Sequence, residues 1–180
     1  MYVVLLGACK NSVAFPNLRL AISGGAAMPL EVLRQAKDIL KLPVVEGYGL
    51  TESSPVVSFN PLNGIQKAGS IGVPLSGVEC KIVDDKDLEL PAGDVGELIA
   101  FGDNVMLGYF NKEKETAEAL KNGWLHTGDL AKKDEDGYIY IVDRKKDLII
   151  TGGLNVYPRE VEEVIYQYSK VKEAAVVGIE

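Results

Sequence analysis

The sequence predicts an α/β unit, then a β-barrel-like unit, then the opening of a third, α+β unit: a mixed α+β chain. Three observations carry this. Residues 18–49 read as strand, helix, strand. After about residue 68 the texture changes to short β-rich runs separated by turns. From Asp143 a charged stretch leads into one more strand and an amphipathic helix. The units so defined are 1–68, 69–142 and 143–180. The balance of charge supports a boundary. Residues 1–80 carry net +1 and residues 81–180 net −8, which makes up the −7 of the whole chain.

In the first unit, "MYVVLLGA" lacks the basic front end and cleavage pattern of a signal peptide and reads as a core helix or strand. "LRLAIS" (18–23) is a buried-strand candidate that ends in Ser23-Gly24-Gly25. Pro29 suits a first helical turn, and Leu33, Ala36 and Leu40 recur at helical spacing. "PVVEGYG" (43–49) is a second strand that runs into a glycine turn. Strand, helix and strand at this length form a parallel crossover, and ligands of such sheets sit past the carboxyl ends of the strands. Both glycine loops fall there.

In the second unit, "GVECKIVD", "GELIAFG" and "GYIYIVDR" are strands. "PAGD" (91–94) and "DEDG" (134–137) supply turn chemistry, and "NKEKETAEAL" (111–120) is a helix. Many short strands at such spacing suggest a small antiparallel barrel or distorted sandwich. "NGWLHTGDL" (122–130) reads as turn-rich. In the third unit, "YPREVEEVIYQY" reads as a helix with Pro158 in its first turn and Val161, Val164, Ile165 and Tyr168 on one apolar face. "KEAAVVGIE" reads as a further strand that reaches Glu180.

Composition excludes several functions. At 47% hydrophobic the chain can bury a core, and at 25% charged it is not disordered. An acidic chain without a basic run is a poor nucleic-acid binder. One histidine and two unmotifed cysteines, Cys9 and Cys80, argue against structural zinc and fit buried thiols in a reducing compartment. No apolar run has the length of a membrane span.

The candidate site residues each have an ordinary reading beside a functional one. Gly24, Gly25, Ala26 and Ala27 let backbone approach a ligand, or simply pack a strand against a helix. Between Gly47 and Gly49, Tyr48 offers a ring for purine stacking, or for half-buried packing. Thr51 and Glu52 offer oxygen to phosphate and Mg²⁺. Asp129 can accept from a ribose diol or cap an Asx turn. His126 could act as a base, though nothing nearby supplies a nucleophile. Arg144 presents a planar fork of donors. Lys145, Lys146 and Asp147 extend the charge run. Gly152 and Gly153 form a turn, or let a thin ligand pass.

Taken in order, "GGAAMP", "YGLTE", "WLHTGDL" and "DRKKDLIITGG…NVYPREVE" resemble the adenylate-forming superfamily of acyl-CoA synthetases, luciferase and peptide-synthetase adenylation domains. "GYGLTESSPVVSFNP" with "GSIGVP" is most similar to the long-chain fatty acid–CoA ligase branch. The resemblance implies the end of the large adenylate-forming domain followed by the start of the small C-terminal α+β lid domain. It implies ATP, Mg²⁺ and coenzyme A, with a carboxylic acid, here a fatty acid, activated as its adenylate. Carrier-protein loading and aryl-CoA ligation are the alternatives within the family. A non-catalytic nucleotide-binding fragment is the alternative outside it. The location implied is cytoplasmic, with peripheral membrane association through a lipid substrate.

By the same resemblance, Tyr48 stacks on adenine, and Gly24, Gly25 and Ala26 line the adenine and acyl pocket. Thr51 and Glu52 serve phosphate and metal, and Asp129 and Arg144 hold the ribose. Lys146 is the hinge, and Gly152-Gly153 line the thiol's path. A phosphate loop before residue 1 and a lysine after Glu180 are expected in a longer protein. Many relatives carry lysine where this chain has Ile150. The isolated chain is therefore expected to bind ATP weakly and to catalyse little.

Overall fold

The computed structural model describes residues 1–9, 15–26, 28–168 and 170–179. Helix α1 (Tyr2–Ala8) is followed by strand β1 (Ala21–Ser23), helix α2 (Leu30–Leu40) and strand β2 (Val44–Gly49). Strands β1 and β2 pair in parallel, Ala21 opposite Val44, so α2 is the expected crossover. Its buried residues are Leu33, Ala36 and Leu40. They pack with Met28 and Val44 against Tyr2, Leu5 and Leu6 of α1. Burying each leucine contributes about 1.5–3 kcal/mol, so this small core holds the crossover without a long helix. Strand β1 is shorter and more open than its apolar run suggests. Only three residues pair, and Ile22 is 55% exposed. Among the described residues β1 has a neighbour on one side only.

Strands β3 (Val56–Phe59) and β4 (Val73–Pro74) add antiparallel to β2 and complete a four-stranded sheet, β1-β2-β3-β4. A second sheet follows from β5 (Val78–Val83), β6 (Gly96–Gly102), β7 (Leu120–Lys121), β8 (Trp124–Lys133) and β9 (Ile139–Arg144), with helix α3 (Glu113–Ala119) leading into β7. All its pairings are antiparallel, with irregular register between β6 and β8 and between β8 and β9. Bulges raise local twist, and the sheet curls as the barrel-like expectation requires. Ile82, Leu98, Ala131 and Ile139 form its core, with Tyr48 and Ile71 packed against it from the first unit. Gly72 bridges the sheets. The Ile71 amide donates to the Ile139 carbonyl at 2.8 Å, and the Ile139 amide to the Gly72 carbonyl at 2.9 Å.

A single 3₁₀ turn at Lys145–Asp147 precedes the hairpin of β10 (Ile149–Thr151) and β11 (Leu154–Val156), and helix α4 (Pro158–Tyr166) follows with Pro158 at its first position.

Beyond β1, the structure departs from the sequence reading in four places. Residues 124–130 are not turn-rich: they belong to the ten-residue strand β8, and the Thr-Gly-Asp run that reads as a turn is a bulge inside it. Residues 173–179 form no strand. Two of their amides instead find side chains of α4: Ala174 N donates to the Tyr166 hydroxyl at 3.3 Å, and Val176 N to Glu162 Oε1 at 2.8 Å. The apolar stripe of α4 and the residues just after it is open, with Val164 65% and Tyr168 59% exposed, while Pro158 is the helix's buried residue. Cys9 and Cys80 are free but only half-buried. Ala27 and Glu180 lie outside the described residues.

Candidate functional site

The carboxyl ends of β1 and β2, the middle of β8, the end of β9 and helix α4 surround one cavity of about 1660 Å³. Its wall includes Gly25, Ala26, Gly47, Tyr48, Gly49, Thr51 and Glu52 from the first unit. Asp129, Arg144 and Lys146 come from the far side. Gly24 lies just behind, where an added Cβ would stand 3.4 Å from the Gly47 carbonyl oxygen. The site thus unites most residues singled out from sequence. Gly152 and Gly153 are elsewhere, at the tip of the β10–β11 hairpin, both with positive φ. His126 is also elsewhere, its side chain 7% exposed between Asp87 and Glu97.

Tyr48 and Asp129 meet directly. The Tyr48 hydroxyl donates to Asp129 Oδ2 at 2.5 Å, across 81 residues of sequence. Burial pushes the Tyr48 phenol well above its usual range, with the Asp129 charge adding to it, so the hydroxyl stays a donor. Burial also raises the Asp129 carboxyl, with Tyr48 and Arg144 pulling partly back. The other carboxylate oxygen lies 3.6 Å from Arg144 Nε, a loose pair on an exposed guanidinium, and keeps lone pairs free for a ligand hydroxyl. No Asx turn forms at Asp129: its carboxylate faces Tyr48 and Arg144, and its own amide donates to Thr127 Oγ1.

The Thr51–Ser53 turn is fixed from within. The buried Ser53 hydroxyl accepts from the Leu50 amide at 3.0 Å and donates to the Pro55 carbonyl at 2.9 Å. Asn104 Nδ2 donates to the carbonyls of Ser53 and Val56. Glu52 is held from the same loop, since the Tyr109 hydroxyl donates to its Oε1 at 2.7 Å and the Met106 amide to its carbonyl at 2.8 Å. Among the described residues no three His, Cys, Asp or Glu side chains gather closely enough to hold a metal. Thr51 and Glu52 place oxygen donors on the cavity wall, the ligand type that Mg²⁺ takes.

Four further residues were not singled out from sequence. Glu46 is buried beside the cavity. Burial raises its carboxyl, while the Gly69 amide and the charges of Arg159 and Lys37 pull it back. Thr127, Tyr109 and Glu97 steady the residues that face the cavity. Glu46 and Glu97 had a signal: each is a lone acid in an otherwise apolar strand.

A large cleft past the strand ends of a parallel crossover, closed by a curled antiparallel sheet, is consistent with the adenylate-forming fold. Residues 3–110, more than half of the chain, match the family described as AMP-binding enzyme, and the chain belongs to that family. It is 47% identical to a long-chain-fatty-acid–CoA ligase of Escherichia coli O6:H1, over 97% of this chain and 32% of the relative. It is 46% identical to that of Bacillus subtilis, over 91% of this chain and 29% of the relative. Among solved structures it resembles the O-succinylbenzoate coenzyme A synthetase of Bacillus subtilis in complex with ATP and magnesium ion. There the TM-score is 0.85 at 36% identity, over 99% of this chain and 37% of that one. The chain spans about a third of the length of the curated relatives it matches.

Proposed function

We propose that this chain is the nucleotide-gripping part of an ATP-dependent acyl-CoA ligase that activates a fatty acid. The observation that carries the reading is the 2.5 Å contact between Tyr48 and Asp129. One adenosine can then touch both: its base against the Tyr48 ring, its ribose hydroxyls on Asp129 and Arg144. Gly25, Ala26, Gly47 and Gly49 leave room for the base and for the acyl end. Thr51 and Glu52 face the phosphates, where Mg²⁺ bound with ATP would neutralise charge. The carboxylate of the acid attacks the α-phosphate, the bond to the β-phosphate oxygen breaks, and pyrophosphate leaves with that electron pair. The thiolate of coenzyme A then displaces AMP from the acyl-adenylate. The chain's part in the first step is positioning and electrostatic stabilisation. Residues 1–68 and 69–142 form the two walls of the cleft. Residues 143–180, pivoting near Lys146, begin the cover, with Gly152-Gly153 on the thiol's side. No helix among the described residues is long and apolar enough to cross a membrane.

The test uses the protein that carries this chain at its natural full length. ATP–pyrophosphate exchange should depend on added fatty acid, and thioester should form with coenzyme A. Exchange that responds to aromatic acids and not to fatty acids would move the reading to the aryl-CoA ligases, which the likeness to the succinylbenzoate synthetase favours. Acyl transfer to a carrier protein but not to coenzyme A would move it to adenylation domains. Absence of exchange with every acid would end it.

A further inference from the structure

The Asp129 bulge has an unusual foundation. Glu97 stands opposite Leu130 and Ile99 opposite His126, so two steps along β6 face four along β8. Thr127, Gly128 and Asp129 thus face the single residue Leu98, two more than a regular ladder holds. Inside a bulge the ladder is broken, and each buried amide needs another partner. The Gly128 amide, at φ +71, donates to Glu97 Oε1 at 3.1 Å. Thr127 Oγ1 donates to the Leu98 carbonyl at 2.7 Å and accepts from the Asp129 amide at 3.1 Å.

The second Glu97 oxygen reaches the 3₁₀ turn that follows β9. Lys145 Nζ, one residue beyond Arg144, donates to Glu97 Oε2 at 3.3 Å and to Asp85 at 3.0 Å. His126 Nδ1, buried and otherwise without a hydrogen-bond partner among the described residues, lies 3.4 Å from the same oxygen. Glu97 is 11% exposed. Burial alone would raise its carboxyl, yet Lys145, the Gly128 amide and His126 hold it below the usual range, so it carries charge at neutral pH. One carboxylate therefore fastens the residue before Asp129 and the residue after Arg144.

We propose that Glu97 is a positioning residue for the nucleotide clamp: by tying Gly128 to Lys145 it fixes where Asp129 and Arg144 point. This rests on the reading that Asp129 grips the ribose hydroxyls. A merely structural glutamate would weaken every nucleotide alike. A positioning glutamate weakens only those that carry the hydroxyls.

The experiment measures calorimetric binding of ATP and of 2′,3′-dideoxy-ATP to the full-length protein, with thermal melts alongside. The variants are Glu97→Ala, Glu97→Gln, Asp129→Asn and the double variant Glu97→Ala/Asp129→Asn. Glu97→Ala is expected to weaken ATP about ten-fold, the scale of one lost charge-assisted hydrogen bond, and to leave the dideoxy analogue within about two-fold. Glu97→Gln keeps an acceptor for Gly128 and recovers part of the loss. If Glu97→Ala does not melt cooperatively, the glutamine variant carries the test, with the same selectivity for ATP. In the Asp129→Asn background, Glu97→Ala is expected to add nothing. Equal weakening of both nucleotides, no weakening, or full additivity with Asp129→Asn would overturn the proposal while leaving the ribose reading intact. Asp129→Asn with unchanged binding of ATP would overturn the ribose reading and this proposal with it.

Discussion

Asp129 and Glu97 are two carboxylates of one curled sheet on which burial and neighbours act with opposite net sign. Asp129 titrates above its usual value, near 4, mainly because it is buried. Its proton therefore favours the folded state. That contribution is full below the unfolded pKa and is lost as pH rises through the higher folded one. At pH 7 the ionised, buried group costs stability relative to its protonated form. Asp129→Asn should thus melt at or a few degrees above wild type at pH 7, at about 2–4 °C per kcal/mol for a chain of this size. It should still bind ATP at least about ten-fold more weakly. Melts from pH 7 down to 4 should show the stability difference closing. A variant that melts well below wild type at pH 7 would contradict this. Glu97 has the reverse sign. Its folded pKa is lowered, so its contribution is present above the unfolded value and disappears as pH falls through the folded one. Glu97→Gln should destabilise at pH 7 and become neutral in acid.

Gly72 shows how one element junction depends on one missing side chain. It sits at φ +84 where the two sheets meet, and a methyl there would overlap the backbone of Phe59 and Asn60. Backbone cannot swing aside as a side chain can. Gly72→Ala should therefore cost about 3 kcal/mol or more, read as a shift in urea midpoint, and should release the Ile71 and Ile139 amides to exchange. Unchanged stability would mean the junction is looser than it looks. At the same scale, Leu33, Ala36 and Leu40 announced α2 by spacing alone, because their environment is set by the helix that carries them. Strand β8 was harder to read. Thr127-Gly128-Asp129 has the composition of a turn, and only the pairing of β6 on either side of it and of β9 from Asp129 onward makes it a bulge inside one strand. On α4 the periodicity was visible and its meaning was not. The apolar stripe is real, but polar neighbours decided which way the helix faces: the Arg159 guanidinium donates to the Ile141 carbonyl at 2.6 Å, and the Leu30 amide donates to Glu163.

Across the whole molecule, two small cores are joined by polar ties and by the packing of Tyr48 and Ile71, and the cavity lies between them. Lys67 is one such tie. Its ammonium donates to Asp134 and Asp136 at 2.6 and 2.7 Å and stands 4.6 Å above the Tyr138 ring. The Tyr138 hydroxyl donates to the Ile65 carbonyl in the same region. Lys67→Met should speed hydrogen exchange in residues 65–70 and 134–138 together and lower the melting temperature, with less effect in high salt. Faster exchange in one segment alone would show that Lys67 does not couple them.

By itself the sequence determined the strand, helix and strand of residues 18–49, where the glycine loops fall, and the order of the family's motifs. These follow from local periodicity, from turn chemistry and from motif order, all contained within a few residues. Only the tertiary structure decided that Tyr48 reaches Asp129, that Glu97 lies under the bulge, and that the Ala174 and Val176 amides find side-chain partners without a strand. Those outcomes are choices of hydrogen-bond partner between groups that the chain brings together from afar. A buried donor takes whichever acceptor the packing delivers, and no local pattern records which one that is.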